Sequence, residues 1–279
     1  NPNVPGDPAD APFYMYLTGT SMAQPHVSGS ALLIREYLST IRSQQNASAM
    51  LVKAFIINGA QDMPATGHPG GSTGPVPNGL EGWGRLNLSN SINPADTLIR
   101  VQFEDSKLQF NNGDTFNITK VRFSKDFPIS ITLTWFDPVD AGAAGRLVND
   151  LDLKLASSSG KIYYGGAASF AGGQTQPYAP PGVTKDTINN VEKIFIRVPG
   201  DGFYDISIIA SGLLSPPQNK FAVVYSQVVG VDSANSGATD QDQLDANQSE
   251  VDSAVTSINR IANTTQYAGK KLLNGTAGF

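Results

Sequence analysis

The sequence predicts a chain of three different segments: a helical N-terminal segment, a β-sandwich in the middle and a helical tail. Apolar residues recur at helical spacing after residue 21, and short runs of alternating polarity fill the middle, from about residue 95 to residue 229. A heptad-like stripe follows a polar linker at 232–238. These changes of pattern predict domains at residues 1–93, 94–230 and 231–279.

Two helices are predicted in the first segment. The first begins at Ser21 and has a wide apolar face, and the second spans Ser48 to Asn58 and stops at Gly59. A loop rich in Gly and Pro follows, and the segment closes on the run Gly-Trp-Gly-Arg-Leu-Asn at 82–87. The glycines of that run are expected at tight turns, and Arg85 and Asn87 are given structural roles.

Ser21 is the candidate catalytic residue of this chain. A small-residue turn, Gly19-Thr20, delivers it to the start of the first helix. The first backbone N–H groups of a helix have no partner inside it, and the positive end of the helix dipole points the same way. This arrangement favours negative charge developing beside Ser21, as acyl transfer requires. The alternative role is an ordinary helix N-cap.

Neither histidine is suited to act as the base for Ser21. His26 follows it by five residues, which leaves the two side chains roughly 140° apart around the helix, so His26 is expected to pack and hydrogen-bond elsewhere. His68 lies in a loop and is expected to be solvated. A serine nucleophile needs both a base and an orienting carboxylate, and no histidine precedes Ser21.

The run at 16–29, YLTGTSMAQPHVSG, resembles the active-site serine motif of subtilisin-like serine proteases (subtilases), G-T-S-M-A-x-P-H-V-x-G, at every fixed position. The resemblance implies an α/β catalytic fold, of which residues 1–93 are the C-terminal part, and Ser21 as its nucleophile. The run at 82–87 is similar to the family's G-x-G-x-x-N element. In subtilases the Asp and His come earlier in the chain.

That chain order leads to an expectation about the whole protein. Because the Asp, the His and the oxyanion-hole Asn would lie upstream, we expect a C-terminal piece of a longer protease, or half of a nicked one, that is inactive alone. Its partners would be the missing N-terminal part of the domain and a protein or peptide substrate. The alternative is a non-catalytic structural or assembly protein.

The middle segment is predicted to be all-β. Many short strands separated by turn residues favour a β-sandwich or jelly roll. The runs at 135–138, 147–153 and 189–192 resemble the jelly-roll domain that follows the protease domain in one branch of subtilases. The strands are expected around Leu98–Val101, Phe116–Ile118, Ile129–Trp135, Ile194–Val198, Tyr204–Ile208 and Phe221–Tyr225.

Three aspartates of this segment form a candidate metal site. Asp150 and Asp152 are two residues apart, so on a strand they share one face, opposite Leu151 and Leu153. With Asp137 and loop oxygens they could bind calcium. The alternative is that they accept hydrogen bonds from backbone N–H groups of a covering loop. No cofactor is required, and structural calcium stays open.

The tail is predicted to be an amphipathic helix. Its stripe is Leu244, Val251, Val255, Ile258 and Ala262, with Gln248 as a polar member. The run from Ile258 to Gly275 resembles the N-terminal core segment of bacterial flagellin, which implies a long helix, a turn and a hairpin. The resemblance implies self-association through helices; the alternative is a helix that docks on the sandwich.

Composition excludes some functions. The net charge of −5 gives no basic patch, so no nucleic-acid partner is expected, and no apolar stretch approaches the ~20 residues of a membrane span. Cysteine is absent, which excludes thiol and disulfide chemistry. Charged residues make up 15% of the chain, below the usual quarter, and this composition favours a secreted protein.

Overall fold

The computed structural model describes residues 19–63, 76–92, 98–106, 110–125, 127–138, 147–166, 170–171, 174–178, 185–213, 220–229, 266–267 and 270–271. The chain divides into two compact units, residues 1–45 with 240–279, and residues 46–239. The domain limits at residues 93 and 230 stay a prediction, because compactness alone does not define a domain.

Helix α1 (Thr20–Thr40) belongs to the first unit and agrees with the helix predicted from Ser21. Gly19 occupies the N-cap with φ 156°, a backbone conformation that strains other residues. Pro25 lies inside the helix, where it lacks the N–H that would bond to the carbonyl of Ser21. Ile34 and Leu38 are the buried residues of the helix.

Helices α2 (Ala49–Asn58) and α3 (Leu88–Ser91) belong to the second unit. The Ser48 side chain caps α2 by accepting from the N–H of Leu51 at 3.0 Å, so the predicted helix start is confirmed. Gly59 ends α2 with φ −86°, which any residue can adopt. Glycine is required at position 59 because of a close contact, since a Cβ there would lie 2.6 Å from the backbone nitrogen of Ser91.

The described residues in the middle of the chain form ten strands. They are β1 (Leu98–Ser106), β2 (Thr115–Phe123), β3 (Pro128–Trp135), β4 (Asn149–Ser157), β5 (Ile162–Tyr164), β6 (Phe170–Ala171), β7 (Gln174–Thr175), β8 (Val191–Arg197), β9 (Gly202–Leu213) and β10 (Phe221–Val229). All six strands expected in this segment are therefore present.

Eight of these strands form two four-stranded antiparallel sheets, with orders β1-β10-β3-β8 and β2-β9-β4-β5. The pairing is nested: the first strand pairs with the last, β2 with β9, β3 with β8 and β4 with β5. The short strands β6 and β7 form a separate pair. This is the arrangement of one long antiparallel ribbon folded back on itself.

The two sheets pack face to face around one hydrophobic core. A single cluster of buried side chains contains residues of both sheets. Alternate residues of β3, β4, β8, β9 and β10 supply most of it, as the period of two requires. They include Ile129, Ile131 and Leu133 of β3 and Leu151, Leu153 and Leu155 of β4. The predicted β-sandwich is confirmed to this extent, with Leu151 and Leu153 on the inner face.

Helix α2 covers the outer face of the sheet that contains β3. The outward side chains of β3 are hydroxyls: Thr134 donates to the carbonyl of Met50 at 2.8 Å, and Ser130 donates to the carbonyl of Asn58 at 2.9 Å. Thr132 donates to the Asn58 amide oxygen at 3.1 Å. The helix is thus docked through buried hydrogen bonds as well as apolar contact.

The remaining expectations have mixed outcomes. The described residues of segment 1–93 contain helices and isolated bridges, with no strand of a parallel sheet. In the tail, β11 (Gln266–Tyr267) pairs with β12 (Lys270–Lys271) in the expected hairpin, and the predicted tail helix lies outside the described residues. Among the described helices, none has the length and apolar character needed to span a bilayer.

Candidate functional site

Ser21 is the second residue of α1 and its side chain is exposed. The carbonyl of Gly19 accepts hydrogen bonds from the N–H groups of Met22 at 3.1 Å and Ala23 at 3.2 Å. Among the described residues, the N–H groups of Thr20 and Ser21 find no partner. The hydroxyl therefore sits at the positive end of a 21-residue helix, beside two N–H groups that have no acceptor in the described part of the chain.

His26 does not face Ser21. Its Nδ1 lies 2.7 Å from the carbonyl oxygen of Met22, one turn earlier in α1. The ring is hydrogen-bonded, as expected, but it is exposed, so the expected packing was wrong. His68 lies outside the described residues. Within the described part of the chain, Ser21 therefore has no histidine base.

The glycine-containing run at 82–87 has the structural roles expected of it. Gly82 has φ 58° and Gly84 has φ 106°, both in the region that favours glycine. A Cβ at Gly84 would also lie 2.5 Å from the carbonyl oxygen of Gln61. Arg85 pairs with Gln61 through two backbone hydrogen bonds, and the Asn87 side chain caps α3.

The three candidate metal ligands have different surroundings. Asp137 accepts from the N–H groups of Val148 at 2.9 Å and Asn149 at 2.7 Å, which is the loop-binding role weighed against calcium. Asp152 is fully buried, and its Oδ2 accepts from Lys185 Nζ at 2.6 Å and from the Ser211 hydroxyl. The structure thus gives Asp152 an ammonium partner that the sequence did not indicate.

Asp150 lies beside these groups without a full set of partners. Burial, followed by the charges of Asp152 and Asp186, raises the pKa of Asp150 to about 6, and Lys185 opposes that rise. Its Oδ1 is buried and has no hydrogen-bond partner among the described residues. In the part of the chain that the structure describes, no group of three or more His, Cys, Asp or Glu side chains could hold a metal ion. Calcium binding stays a prediction.

Glu192 is a buried carboxylate that sequence reasoning did not place in the site. It lies on the inner side of β8 and accepts from the N–H of Leu153, on the opposite sheet, at 2.5 Å. Burial raises its pKa well above the usual range for Glu, although the Leu153 bond opposes this. Its position two residues before Ile194 was the available signal, because that spacing points both side chains to the core.

Comparison with known families separates the chain into two matched regions. Residues 4–84, which include Ser21 and its helix, match the subtilase family. This region is therefore similar to the subtilase family. Residues 223–278 match the bacterial flagellin N-terminal helical region. The two resemblances read from the sequence are therefore both confirmed, and the flagellin match begins within strand β10.

Curated relatives of this chain come from Dictyostelium discoideum. Serine protease/ABC transporter B family protein tagB is 27% identical over 257 residues, which cover 76% of this chain. The protein tagA of the same description is 30% identical over 229 residues, covering 75%. The chain spans about one eighth of the length of either relative, 13% and 12%. Alignments this long must include much of the segment between the two matched regions.

A solved structure also aligns with the chain. The Aeromonas sobria serine protease (ASP), solved with the chaperone ORF2, aligns over 78% of this chain and 45% of that chain. The identity is 11% and the TM-score is 0.24, too low to establish a shared fold.

Proposed function

We propose that this chain is part of a subtilisin-type serine endopeptidase with Ser21 as its nucleophile. The observation that carries the proposal is an exposed Ser21, at the start of α1, inside a region of the subtilase family. Its Oγ would attack the peptide carbonyl carbon while a base takes the hydroxyl proton, and the same proton would then go to the leaving amine. Water would hydrolyse the acyl-enzyme.

The backbone N–H of Ser21 would supply half of the oxyanion hole, because it has no partner among the described residues and lies at the helix end. The base, the orienting Asp and the side-chain donor would come from polypeptide other than these 279 residues. Loss of the triad lowers the turnover of subtilisin about a million-fold. The chain alone is therefore expected to be almost inactive.

Phosphonylation with a fluorophosphonate in the presence of imidazole tests this proposal. Imidazole supplies the absent base, so adduct formation on Ser21 should increase with imidazole concentration and disappear in Ser21→Ala. Ser28→Ala is the matched control, since Ser28 is an exposed hydroxyl on the same helix. Peptide mapping that found the adduct equally on both serines, or on other hydroxyls but not on Ser21, would contradict the proposal.

The sandwich is proposed to be the jelly-roll domain that stabilises the protease or helps to bind polymeric substrate. The nested strand pairing supports this assignment, because a jelly roll is an eight-stranded antiparallel ribbon folded on itself. The docking of α2, from the subtilase region, on this sandwich supports the stabilising role. We also propose that the substrate is a protein and that the chain is secreted. These two proposals rest on the resemblance to the family and on the composition.

The second candidate function is that of a structural or assembly protein. The flagellin match and the β11–β12 hairpin favour it. The predicted stripe would then drive association between helices. Val255→Asn, on the stripe, should lower the oligomer mass measured by light scattering, whereas Ser253→Asn, off the stripe, should not. A monomeric chain at all concentrations would leave this function without support.

A further inference from the structure

Four carboxylates of the sandwich lie near enough to act on one another electrostatically: Asp150, Asp152, Asp186 and Glu192, which we call the acidic cluster. Two come from β4, one from β8 and one from the segment just before β8. The Asp152 side chain is fully buried, and Glu192 is 1% exposed. Buried carboxylates are costly unless they are paired and hydrogen-bonded, so their partners decide how the cluster is stabilised.

Backbone and amide donors satisfy only part of the acidic cluster. Asp186 accepts from the N–H groups of Ile188 and Asn189, at 2.9 and 3.0 Å, and one oxygen of Glu192 accepts from the N–H of Leu153. Among the described residues, three buried oxygens keep no partner: Asp150 Oδ1, Asp152 Oδ1 and Glu192 Oε1. Hydrogen bonds from the described residues therefore satisfy the acidic cluster only in part.

Lys185 brings positive charge to the acidic cluster. Its Nζ lies 2.6 Å from Asp152 Oδ2 and 4.8 Å from the ring centroid of Tyr164. The Lys185 side chain is 35% exposed, whereas that of Asp152 is 1% exposed. The aliphatic stem thus reaches the surface while the ammonium is held between a buried carboxylate and an aromatic face, a setting that favours a cation.

A metal ion does not fit the residues as they are arranged. No three acidic side chains among those described converge to hold one, and a calcium ion needs six to eight oxygen ligands. We propose that the Lys185 ammonium is the resident cation of the acidic cluster, in the role that a bound divalent cation would otherwise have. The sandwich of this chain is therefore stable without calcium.

The proposal predicts what removal of the ammonium does. Lys185→Met keeps most of the stem but leaves the buried Asp152 carboxylate with the Ser211 hydroxyl as its one side-chain partner among the described residues. Removing one partner of a buried ion pair strongly destabilises the folded state, and the partial exposure of Lys185 moderates this loss of stability. We expect the melting temperature of the sandwich to fall by about 5–10 °C.

Thermal unfolding of the full chain, followed by Trp135 fluorescence, tests the proposal. Trp135 is buried in the sandwich core and donates to the carbonyl of Asn149. Trp83 is the other of the two tryptophans in the chain, so a Trp83→Phe background isolates the Trp135 signal. Lys185→Met should melt earlier than its parent. Lys161→Met, which removes an exposed lysine from the turn before β5, is the matched control and should not.

Two further measurements separate a counter-cation from a lysine that merely packs. Lys185→Met combined with Asp152→Asn removes both charges and should regain about half of the lost stability or more. Millimolar calcium or EDTA should leave the melting temperature of the parent unchanged. A double variant as unstable as Lys185→Met, or a parent stabilised by calcium, would overturn the proposal, as would a Lys185→Met variant that melts like Lys161→Met.

Discussion

Lys193 is a cationic side chain that is almost completely buried from solvent. It is 4% exposed on the outer side of β8, and its Nζ donates to the carbonyl of Ile57, near the end of α2, at 2.8 Å. Burial lowers the pKa of Lys193 to about 7. Near neutral pH the folded chain therefore holds this proton weakly, whereas an unfolded chain keeps a lysine pKa near 10.5.

This difference predicts how stability depends on pH. Between pH 7 and 10.5 the unfolded chain binds one more proton at Lys193 than the folded chain, so the free energy of unfolding rises with pH. From pH 7.5 to 9.5 the contribution is about 2–3 kcal/mol. Urea unfolding at both pH values should show it in the parent and in Lys161→Met.

Lys193→Met should lose this increase. Asp150, whose pKa is raised to about 6, acts in the opposite direction at lower pH and is present in every variant, so it cancels in the comparison. An equal pH dependence in the parent and in Lys193→Met would show that the Lys193 proton is not the cause.

The roles of individual residues were the feature least predictable from the sequence. Ser21 could be singled out because its whole motif is contiguous in the sequence. Lys185 and Glu192 could not, because their partners are brought by chain reversals: Lys185 meets a carboxylate 33 residues away and Glu192 meets a backbone group 39 residues away. Alternation shows which face a side chain takes, but not what lies opposite.

At the scale of elements, the contact between α2 and α3 depends on a missing side chain. A Cβ on Gly59 would lie 2.6 Å from the nitrogen and 2.8 Å from the Cα of Ser91, and backbone atoms cannot move aside cheaply. Gly59→Ala should lower the free energy of unfolding by about 1–3 kcal/mol in urea. Gly200→Ala, where nothing lies within 4 Å, is the control and should be close to neutral.

The docking of α2 depends on the Asn58 side chain. Its amide accepts from Thr132 and donates to Ser226 at 2.8 Å, and all three residues are buried. Asn58→Ala leaves those hydroxyls without this partner, so the free energy of unfolding should fall by about 2–4 kcal/mol. Exposed Asn112→Ala should change it by less than about 0.5 kcal/mol. Equal values for the two variants would mean that the network does not hold the helix.

Elements themselves were well predicted where one period dominates. The helical spacing of 48–58 and the alternation of 129–135 each gave the right element. The α/β layer expected from the family has no strand among the described residues of segment 1–93. The pairing of the strands could not be predicted from the sequence either, because the β1–β10 pairing joins residues more than a hundred positions apart.

At the scale of the molecule, residues 46–239 form a compact unit with its own core and with α2 on its outer face. This unit should fold when produced alone, because its core residues all lie within it. The Trp135 melting transition of the fragment should match that of the full chain within about 3 °C. A fragment without a cooperative transition would show that the remaining residues are required.

The hydroxyl-lined outer surface of β3 affects how the sandwich would behave if the chain were cleaved. Ser130, Thr132 and Thr134 can each bond to water as readily as to the helix that covers them. If a protease clipped the chain and the helix were lost, water would replace the helix as the partner of these hydroxyls, whereas Phe103 and Val224, on the same face, would be left uncovered.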